Sequence, residues 1–251
     1  MEILKNHRSI RNYLPTKVNA DVLNRILECG IRASNTGNMQ LYSVVVIQDK
    51  EKKEKLSPLH FNQPMVKQAP VLLTICMDIN RFSKWCEVNG TLPSFSNLLW
   101  LLNGTIDASL FAQNISIAAE AEGLGICYLG TTLYNAVEIS DLLHLPVGVI
   151  PITTLTLGYP ERMPELTERL PLNGVVHYEE YSDFSAETIS EIYRDKENLE
   201  SSKLFVSENN KENLAQVYTE IRYKKNDSEF FTAKLFRLFE EHGFLPSSAK
   251  E

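Results

Sequence analysis

The stretch from Thr105 to Glu122 places the strongest constraint on the fold. Apolar residues recur around the whole circumference of a helix built from it, so almost no polar face remains. These residues are Ile106, Ala108, Leu110, Phe111, Ile115, Ile117, Ala118, Ala119 and Ala121. Gly123-Leu124-Gly125 then ends the helical pattern. The sequence therefore predicts a central helix that other elements enclose on nearly all sides.

Short β-branched and apolar runs alternate with helical segments through the first part of the chain. Ser43–Ile47 is apolar at both alternating sets of positions, which is typical of a strand covered on both faces. A helix capped by Asn19 precedes it and ends at the polar loop 34–38. Further strands are predicted over residues 71–77, 126–129 and 152–157, and a short helix over residues 136–143.

The composition changes after Pro171, where charged amphipathic helices replace the strands. These helices are predicted over residues 186–199, 211–223 and 229–242. A chain of 251 residues is long for one domain, although large α/β domains reach this length. We therefore expect one domain over residues 1–180 and a helical C-terminal arm over residues 181–251.

Charge and hydropathy exclude two classes of partner. The net charge of −7 argues against a general nucleic-acid surface, because phosphate backbones select clustered, uncompensated Lys and Arg. The longest apolar run, Leu98–Leu102, is far shorter than the roughly 20 residues that span a bilayer. The polar stretch Met1–Arg11 lacks the apolar core of a signal peptide, so we expect a cytoplasmic protein.

The cysteines and histidines have no spacing typical of a metal site or a redox pair. The cysteines, which we expect to be reduced core thiols, are Cys29, Cys76, Cys86 and Cys127. The histidines are His7, His60, His144, His177 and His242, and all but His7 are expected to pack or to lie at the surface. We predict no metal.

The stretch His7-Arg8-Ser9-Ile10-Arg11 gathers three cationic or potentially cationic side chains near the start of an acidic protein. Guanidinium groups match phosphate oxygens, and each charge-assisted hydrogen bond contributes about 1.5–3 kcal/mol. The stretch is therefore either an anion site or a basic surface turn.

At this stretch the sequence resembles the nitroreductase and flavin reductase family, particularly its larger, often NADPH-preferring group. The other landmarks follow in order: Arg32–Gln40, Gln63 with Gln68-Ala69-Pro70, Ala112-Gln113-Asn114, Gly123–Gly125 with Tyr128-Leu129-Gly130, and Glu168–Pro171. The resemblance implies an α+β fold with a mixed central sheet flanked by helices. It also implies a domain-swapped homodimer in which the tail helices embrace the partner.

The resemblance further implies that FMN is the cofactor. Carried over position by position, His7, Arg8 and Ser9 line the phosphate and ribityl region, and Arg169 also meets the phosphate. Arg11 lies near the pyrimidine edge, where a cation stabilises the negative charge that reduction adds. The remaining implied contacts are Asn35, Thr36, Gln40, Gln63, Tyr128, Leu129, Gly130 and Thr131.

Several of these assignments have a structural alternative. Gly130 matches the loop whose backbone N–H groups face flavin N5 in the family, but a glycine here also makes the turn after a strand. Tyr128 and Leu129 are equally compatible with a strand in the core. Thr167 stands where the larger nitroreductases usually have Lys, which removes one cation from the phosphate site. Lys211 is the candidate contact for the phosphate of a nicotinamide nucleotide.

The implied activity is ping-pong transfer of hydride from NAD(P)H through FMN N5 to a nitroaromatic, a quinone or free flavin, with no catalytic side chain. Two alternatives remain open. One is a different flavin reaction on the same fold, such as dehalogenation, enone reduction or flavin fragmentation. The other is a non-catalytic FMN-binding protein.

Overall fold

Four antiparallel strands form the sheet of the computed structural model, which describes residues 1–246. They are β1 (Tyr42–Ile47), β2 (Val71–Asp78), β3 (Gly125–Leu129) and β4 (Val149–Gly158), in the spatial order β1-β2-β4-β3. β2 lies between β1 and β4 and is buried at every position, because apolar clusters cover both faces of the sheet there. The register of β2 against β4 shifts between Ile75 and Cys76, opposite Pro151. Proline lacks the N–H that a regular ladder requires, so an irregularity at this place is expected.

The predicted sheet is mixed, but the pairings among β1–β4 are all antiparallel, and the N-terminal segment adds only isolated bridges beside them. Ser9 forms a parallel bridge with Ile126 of β3, and Tyr13 forms an antiparallel bridge with Pro160 just after β4. The predicted α+β fold is confirmed. The prediction that residues 43–47 are covered on both faces is wrong, because β1 is an edge strand and Val46 is 39% exposed.

Helices surround the sheet in the same part of the chain. Asn19 caps α2 through a hydrogen bond from Asp21 N, as predicted, and Asp49 caps α3 through Lys52 N. The helices are α1 (Glu2–Lys5), α2 (Ala20–Ile31), α3 (Lys50–Leu56), α4 (Pro64–Gln68), α5 (Asn80–Val88), α6 (Leu98–Ala121) and α7 (Ala136–Leu143). Single-turn 3₁₀ segments cover Thr36–Asn38 and Pro58–His60, and a longer one covers Gly130–Asn135.

Helix α6 is the predicted central helix, and it begins at Leu98 rather than at Thr105. One face packs closely: a Cβ on Gly104 would lie 2.9 Å from Met77 Cε, and a Cβ on Gly30 of α2 would lie 2.7 Å from Ile115 Cγ1. The opposite face is not enclosed by other parts of residues 1–246. It exposes an apolar stripe of Leu98, Leu99, Leu102, Ile106 and Leu110.

The chain divides into two compact units. The first comprises Met1–Glu165 together with residue 231 up to the last described residue, 246, and the second comprises Leu166–Phe230. The boundary at residue 180 stays a prediction. The second unit contains α8 (Ala186–Asn198), α9 (Glu200–Glu208), α10 (Leu214–Gln216), a π-helical turn (Val217–Arg222) and the start of α11 (Lys225–Glu241).

Two sequence-based expectations need correction. Helix α9 was not predicted, because its residues lack a clear apolar period. The cysteines are all free, but only Cys76 and Cys127 are core thiols. Cys29 is exposed and Cys86 is half-buried, since each lies on the outer side of its helix.

Candidate functional site

The basic N-terminal segment lies along strand β3. Ile10 N donates to Ile126 O at 2.8 Å, and the Ile10 side chain is buried in the core. A Cβ on Gly125 would lie only 2.2 Å from Ile10 Cγ1, so a glycine is required for this close approach. The buried isoleucine thus fixes the polar residues on both sides of it relative to the sheet.

Two of these polar residues are held by contacts within the first unit. Arg8 donates from Nε to Asn6 O at 3.0 Å and from Nη1 to Pro164 O at 2.8 Å. His7 Nδ1 lies 2.8 Å from Glu120 Oε1 near the end of α6. The guanidinium and the imidazole are therefore positioned rather than freely mobile.

Arg11 is exposed, and its charge acts on the thiol behind it. Burial raises the pKa of Cys127, while the Arg11 charge and a hydrogen bond with Ser9 oppose that rise.

A second group of predicted residues occupies the loop after α2, where Asp107 of α6 organises it. Asp107 Oδ1 accepts from Thr36 N at 2.9 Å and from Thr36 Oγ1 at 3.0 Å, and Oδ2 accepts from Leu41 N at 3.2 Å. Asn35 Oδ1 accepts from Gln40 N at 3.2 Å. The backbone N–H and the hydroxyl of Thr36 thus both donate to Asp107. Thr36 Oγ1 can therefore only accept a hydrogen bond from a ligand.

Arg81 of α5 supports the far end of this loop. It donates to the Gln40 carbonyl, and its Nη1 donates to Tyr42 O at 3.1 Å. Gln40 has a φ of +54°, a left-handed conformation that non-glycine residues seldom adopt. The guanidinium holds the loop backbone in this conformation.

A third group forms around the loop that follows β3. Thr131 Oγ1 lies 2.9 Å from His60 Nδ1 and 3.4 Å from Gln63 Nε2. Gly130, directly before it, is exposed, and a Cβ built on it would meet no atom within 4 Å. The backbone of Gly130 therefore faces open space.

The side chains of Tyr128 and Leu129 face the protein. Leu129 is 1% exposed in the core. Tyr128 Oη donates to Gln113 Oε1 at 3.3 Å and accepts from Ser116 Oγ at 3.2 Å, both on α6, and burial raises its pKa. The Leu129 side chain is therefore unavailable to a ligand, whereas the Tyr128 side chain is half-buried against α6.

Arg169 lies in the second unit beside Thr167, the residue that replaces the usual Lys. Arg169 Nη1 donates to Thr167 Oγ1 at 2.7 Å and to Glu168 O at 2.9 Å. Both residues line a cleft of about 420 Å³, as does Lys196. Lys211, in the same unit, forms an ion pair with Glu220 at 2.6 Å.

Two elements, β3 and α6, position most of the predicted residues. Strand β3 holds the N-terminal segment through Ile126 and continues into Gly130 and Thr131, while α6 holds Thr36 through Asp107. Sequence reasoning missed Asp107, Glu120, Arg81 and the contact of His60. Asp107 had a signal, since it is an acidic residue inside an otherwise apolar helix, and such a residue needs buried partners.

Two other kinds of feature are absent from the described part of the chain. Within residues 1–246, no helix has the length and apolarity needed to cross a membrane. Across the same residues, no cluster of three or more His, Cys, Asp or Glu side chains is placed to hold a metal ion.

Comparison with known proteins gives consistent matches. The model of the nitroreductase family matches residues 4–90 and 102–159. The FMN reductase (NADPH) of Bacillus subtilis is 34% identical over 210 residues, covering 79% of this chain and 84% of the relative. The Cr(VI) reductase of a Pseudomonas species is 34% identical over 194 residues, covering 77% and 80%.

Solved structures agree with these matches. A Bacteroides fragilis protein provisionally described as an oxidoreductase is 51% identical, with a TM-score of 0.96 over 98% of this chain and 100% of the other. The NfrA1 nitroreductase of B. subtilis is 29% identical, with a TM-score of 0.84 over 97% and 98%.

Proposed function

Because the chain belongs to the nitroreductase family, we propose that NAD(P)H and an aromatic acceptor take turns at one open face of a bound FMN. The chain is an FMN-dependent NAD(P)H oxidoreductase, the activity for which the FMN reductase of B. subtilis and the NADPH-flavin oxidoreductase of Vibrio harveyi are named. The acceptor that we propose is a nitroaromatic, a quinone or free flavin.

The open backbone at Gly130 is the observation that carries this proposal. A Cβ there would meet no atom within 4 Å, so a flat ring has room to approach the main chain at the end of β3. The same strand fixes the segment that contains His7, Arg8, Ser9 and Arg11. These donors suit a phosphate and its polar chain, so the residues of the first unit fit FMN.

The protein's part in the reaction is to bind and to orient. When bound, FMN would supply the hydride-transfer chemistry, through its N5, that links the nicotinamide to the acceptor. In our proposal Arg8, His7 and Ser9 hold the phosphate end, and Arg11 supplies positive charge near the pyrimidine edge. Thr36 Oγ1 accepts from a ribityl hydroxyl, and Asn35, Gln40 and Gln63 complete the polar contacts. The main chain at Tyr128, Leu129, Gly130 and Thr131 faces the ring.

We also propose a homodimer formed through the exposed stripe of α6. Ile106 and Leu102 are 56% and 54% exposed in the N-terminal half of α6, and exposed apolar patches of this kind often mark interfaces. A second copy would cover the stripe with the same apolar surface, as two-fold interfaces do. We propose that the two subunits exchange their C-terminal arms. We also propose a cytoplasmic location, where free cysteines such as the four of this chain are usual.

An absorbance experiment tests the function. After reconstitution with FMN and desalting, the purified protein is expected to show the visible absorbance bands of bound flavin. Anaerobic addition of NADH or NADPH in separate cuvettes should bleach them, and a quinone or nitroaromatic should restore them. Protein that retains FMN but is not bleached by either nucleotide would contradict the proposed activity. Protein that stays colourless would contradict the cofactor site.

A further inference from the structure

His60 is a fully buried histidine beside the loop proposed to face the flavin. It ends the 3₁₀ turn Pro58–His60 and has no exposed surface. Burial lowers its pKa from 6.5 to about 4, so the ring is neutral near neutral pH. Its Nδ1 lies 2.9 Å from Thr131 Oγ1, and its Nε2 is buried without a hydrogen-bond partner among the described residues.

The missing partner at Nε2 decides which ring nitrogen carries the proton. A neutral imidazole has one N–H donor and one bare acceptor nitrogen. Protonation at Nε2 would bury a donor without an acceptor, which is costly, whereas an unpaired acceptor nitrogen costs less. The proton therefore lies on Nδ1, and His60 donates to Thr131 Oγ1.

Because His60 Nδ1 donates to it, the Thr131 hydroxyl is free to donate its own hydrogen elsewhere. Its oxygen accepts from His60 Nδ1 at 2.9 Å and more weakly from Gln63 Nε2 at 3.4 Å. A hydroxyl accepts twice and donates once, so its own hydrogen remains available. Thr131 is half-buried and directly follows the open backbone of Gly130.

The two turns that carry this pair are held firmly. Asn135 Nδ2 donates to Leu59 O at 2.7 Å, which ties the end of the second turn to the residue before His60. Thr132 Oγ1 donates to Leu129 O at 2.9 Å, and it lies 3.2 Å from Thr154 Oγ1 in the core. The Asn135 contact thus keeps the two turns together, so that His60 orients the Thr131 hydroxyl before a ligand arrives.

We propose that His60 is a positioning residue that commits the Thr131 hydroxyl to donate a hydrogen bond to an acceptor atom on the edge of the bound flavin ring. This inference rests on the proposed function and assigns one more contact within it. Reduction adds negative charge to the ring, so a fixed donor stabilises the reduced form more than the oxidised form.

The test compares variants of the FMN-loaded protein by the midpoint potential and the visible spectrum of the flavin. Thr131→Val removes the hydroxyl at nearly constant volume. His60→Leu removes the orienting donor, and His60→Asn restores it, since both an asparagine amide and an imidazole nitrogen branch from Cγ. Thr132→Val is the matched control, because it removes a neighbouring hydroxyl that faces the core.

We expect Thr131→Val to reduce the preference for reduced over oxidised FMN about tenfold, which corresponds to a potential ~30 mV lower for a two-electron couple. His60→Leu should shift the potential in the same direction, and His60→Asn should return it towards wild type. Thr132→Val should lower the melting temperature but leave the potential unchanged.

Two outcomes would overturn the inference. One is a Thr131→Val holoprotein with the wild-type potential and spectrum, and the other is equal behaviour of His60→Leu and His60→Asn. If His60→Leu does not fold, His60→Gln takes its place in the comparison with His60→Asn, because the glutamine amide branches from Cδ and cannot occupy the position of Nδ1. If wild-type protein binds FMN and is bleached by NAD(P)H, the proposed function stands even when this inference fails. If wild-type protein remains colourless, both the inference and the proposed function are wrong.

Discussion

One carboxylate oxygen on α6 holds both the backbone and the side chain of a single loop residue: Asp107 Oδ1 accepts from Thr36 N at 2.9 Å and from Thr36 Oγ1 at 3.0 Å. The second oxygen accepts from Leu41 N at 3.2 Å. Three donors therefore converge on a side chain that is 1% exposed. The loop that contains Asn35 and Gln40 takes its shape from this carboxylate.

Asp107→Asn should destabilise the protein by about 2–3 kcal/mol, because one amide –NH₂ must then face an N–H donor in the core. Urea unfolding of the FMN-free protein measures the loss. Ser109→Ala on the exposed side of the same helix is the control and should change the unfolding free energy by less than about 0.5 kcal/mol. Equal stability of Asp107→Asn and wild type would show that the carboxylate does not organise the loop.

The sequence predicted the parts of the site that carry a local signal. The cations of the N-terminal stretch and Gly130 stand out along the chain, and the apolar run predicted α6. The partners Asp107–Thr36 and His60–Thr131 are 71 residues apart in each case, so their contacts depend on packing that no local pattern encodes. The exposure of Val46 was missed because the spatial order of the strands, not their composition, makes β1 an edge.

Gly125, the first residue of β3, and Gly130, which follows the strand, should respond differently to an added methyl group. Gly125→Ala would place Cβ 2.2 Å from Ile10 Cγ1, so a loss of about 1–3 kcal/mol is expected from overpacking. Gly130→Ala meets no atom within 4 Å and should leave the stability of the FMN-free protein nearly unchanged. Its FMN dissociation constant should nevertheless rise at least about tenfold, if a ring approaches that backbone closely. Fluorescence titration with FMN, alongside urea unfolding, separates the two effects. Unchanged FMN affinity in Gly130→Ala would reject the assignment of this loop.

Arg8→Ala should yield folded protein that binds FMN about ten- to a hundredfold more weakly, because a charge-assisted hydrogen bond to phosphate contributes about 1.5–3 kcal/mol. The flavin retained after desalting, measured by absorbance, reports the loss. Arg25→Ala, which removes an exposed ion pair with Glu122, is the matched control and should retain FMN fully. Arg169→Ala tests separately the role that the family resemblance gives to Arg169. Undiminished yellow colour in Arg8→Ala would contradict its place at the phosphate.

Acid should weaken the fold through His60. Its pKa is about 4 in the folded protein and 6.5 as the ordinary value, so between these pH values the unfolded chain binds a proton that the folded chain does not. The free energy of unfolding therefore falls as the pH drops through this window, by up to about 3 kcal/mol at pH 4. Urea unfolding at several pH values gives the free energy of unfolding as a function of pH. This free energy should fall less steeply with decreasing pH in His60→Asn than in wild type. Burial also lowers the pKa of His242, and this contribution is common to both proteins. Parallel pH profiles would show that burial does not lower the pKa of His60.

The apolar stripe of α6 should be required for the dimer. Leu102→Glu combined with Ile106→Glu would place two charges within the proposed interface, where desolvation of an unpaired carboxylate is expensive. Sedimentation equilibrium should find a dimer for wild type and a monomer for the double variant. Val147→Glu introduces the same charge at a position that is 66% exposed outside the stripe, and it should remain dimeric. If a partner subunit completes the flavin site, the monomeric variant should also lose its FMN on desalting. A wild-type monomer, or a double variant that still dimerises, would show that this helix face is not the interface.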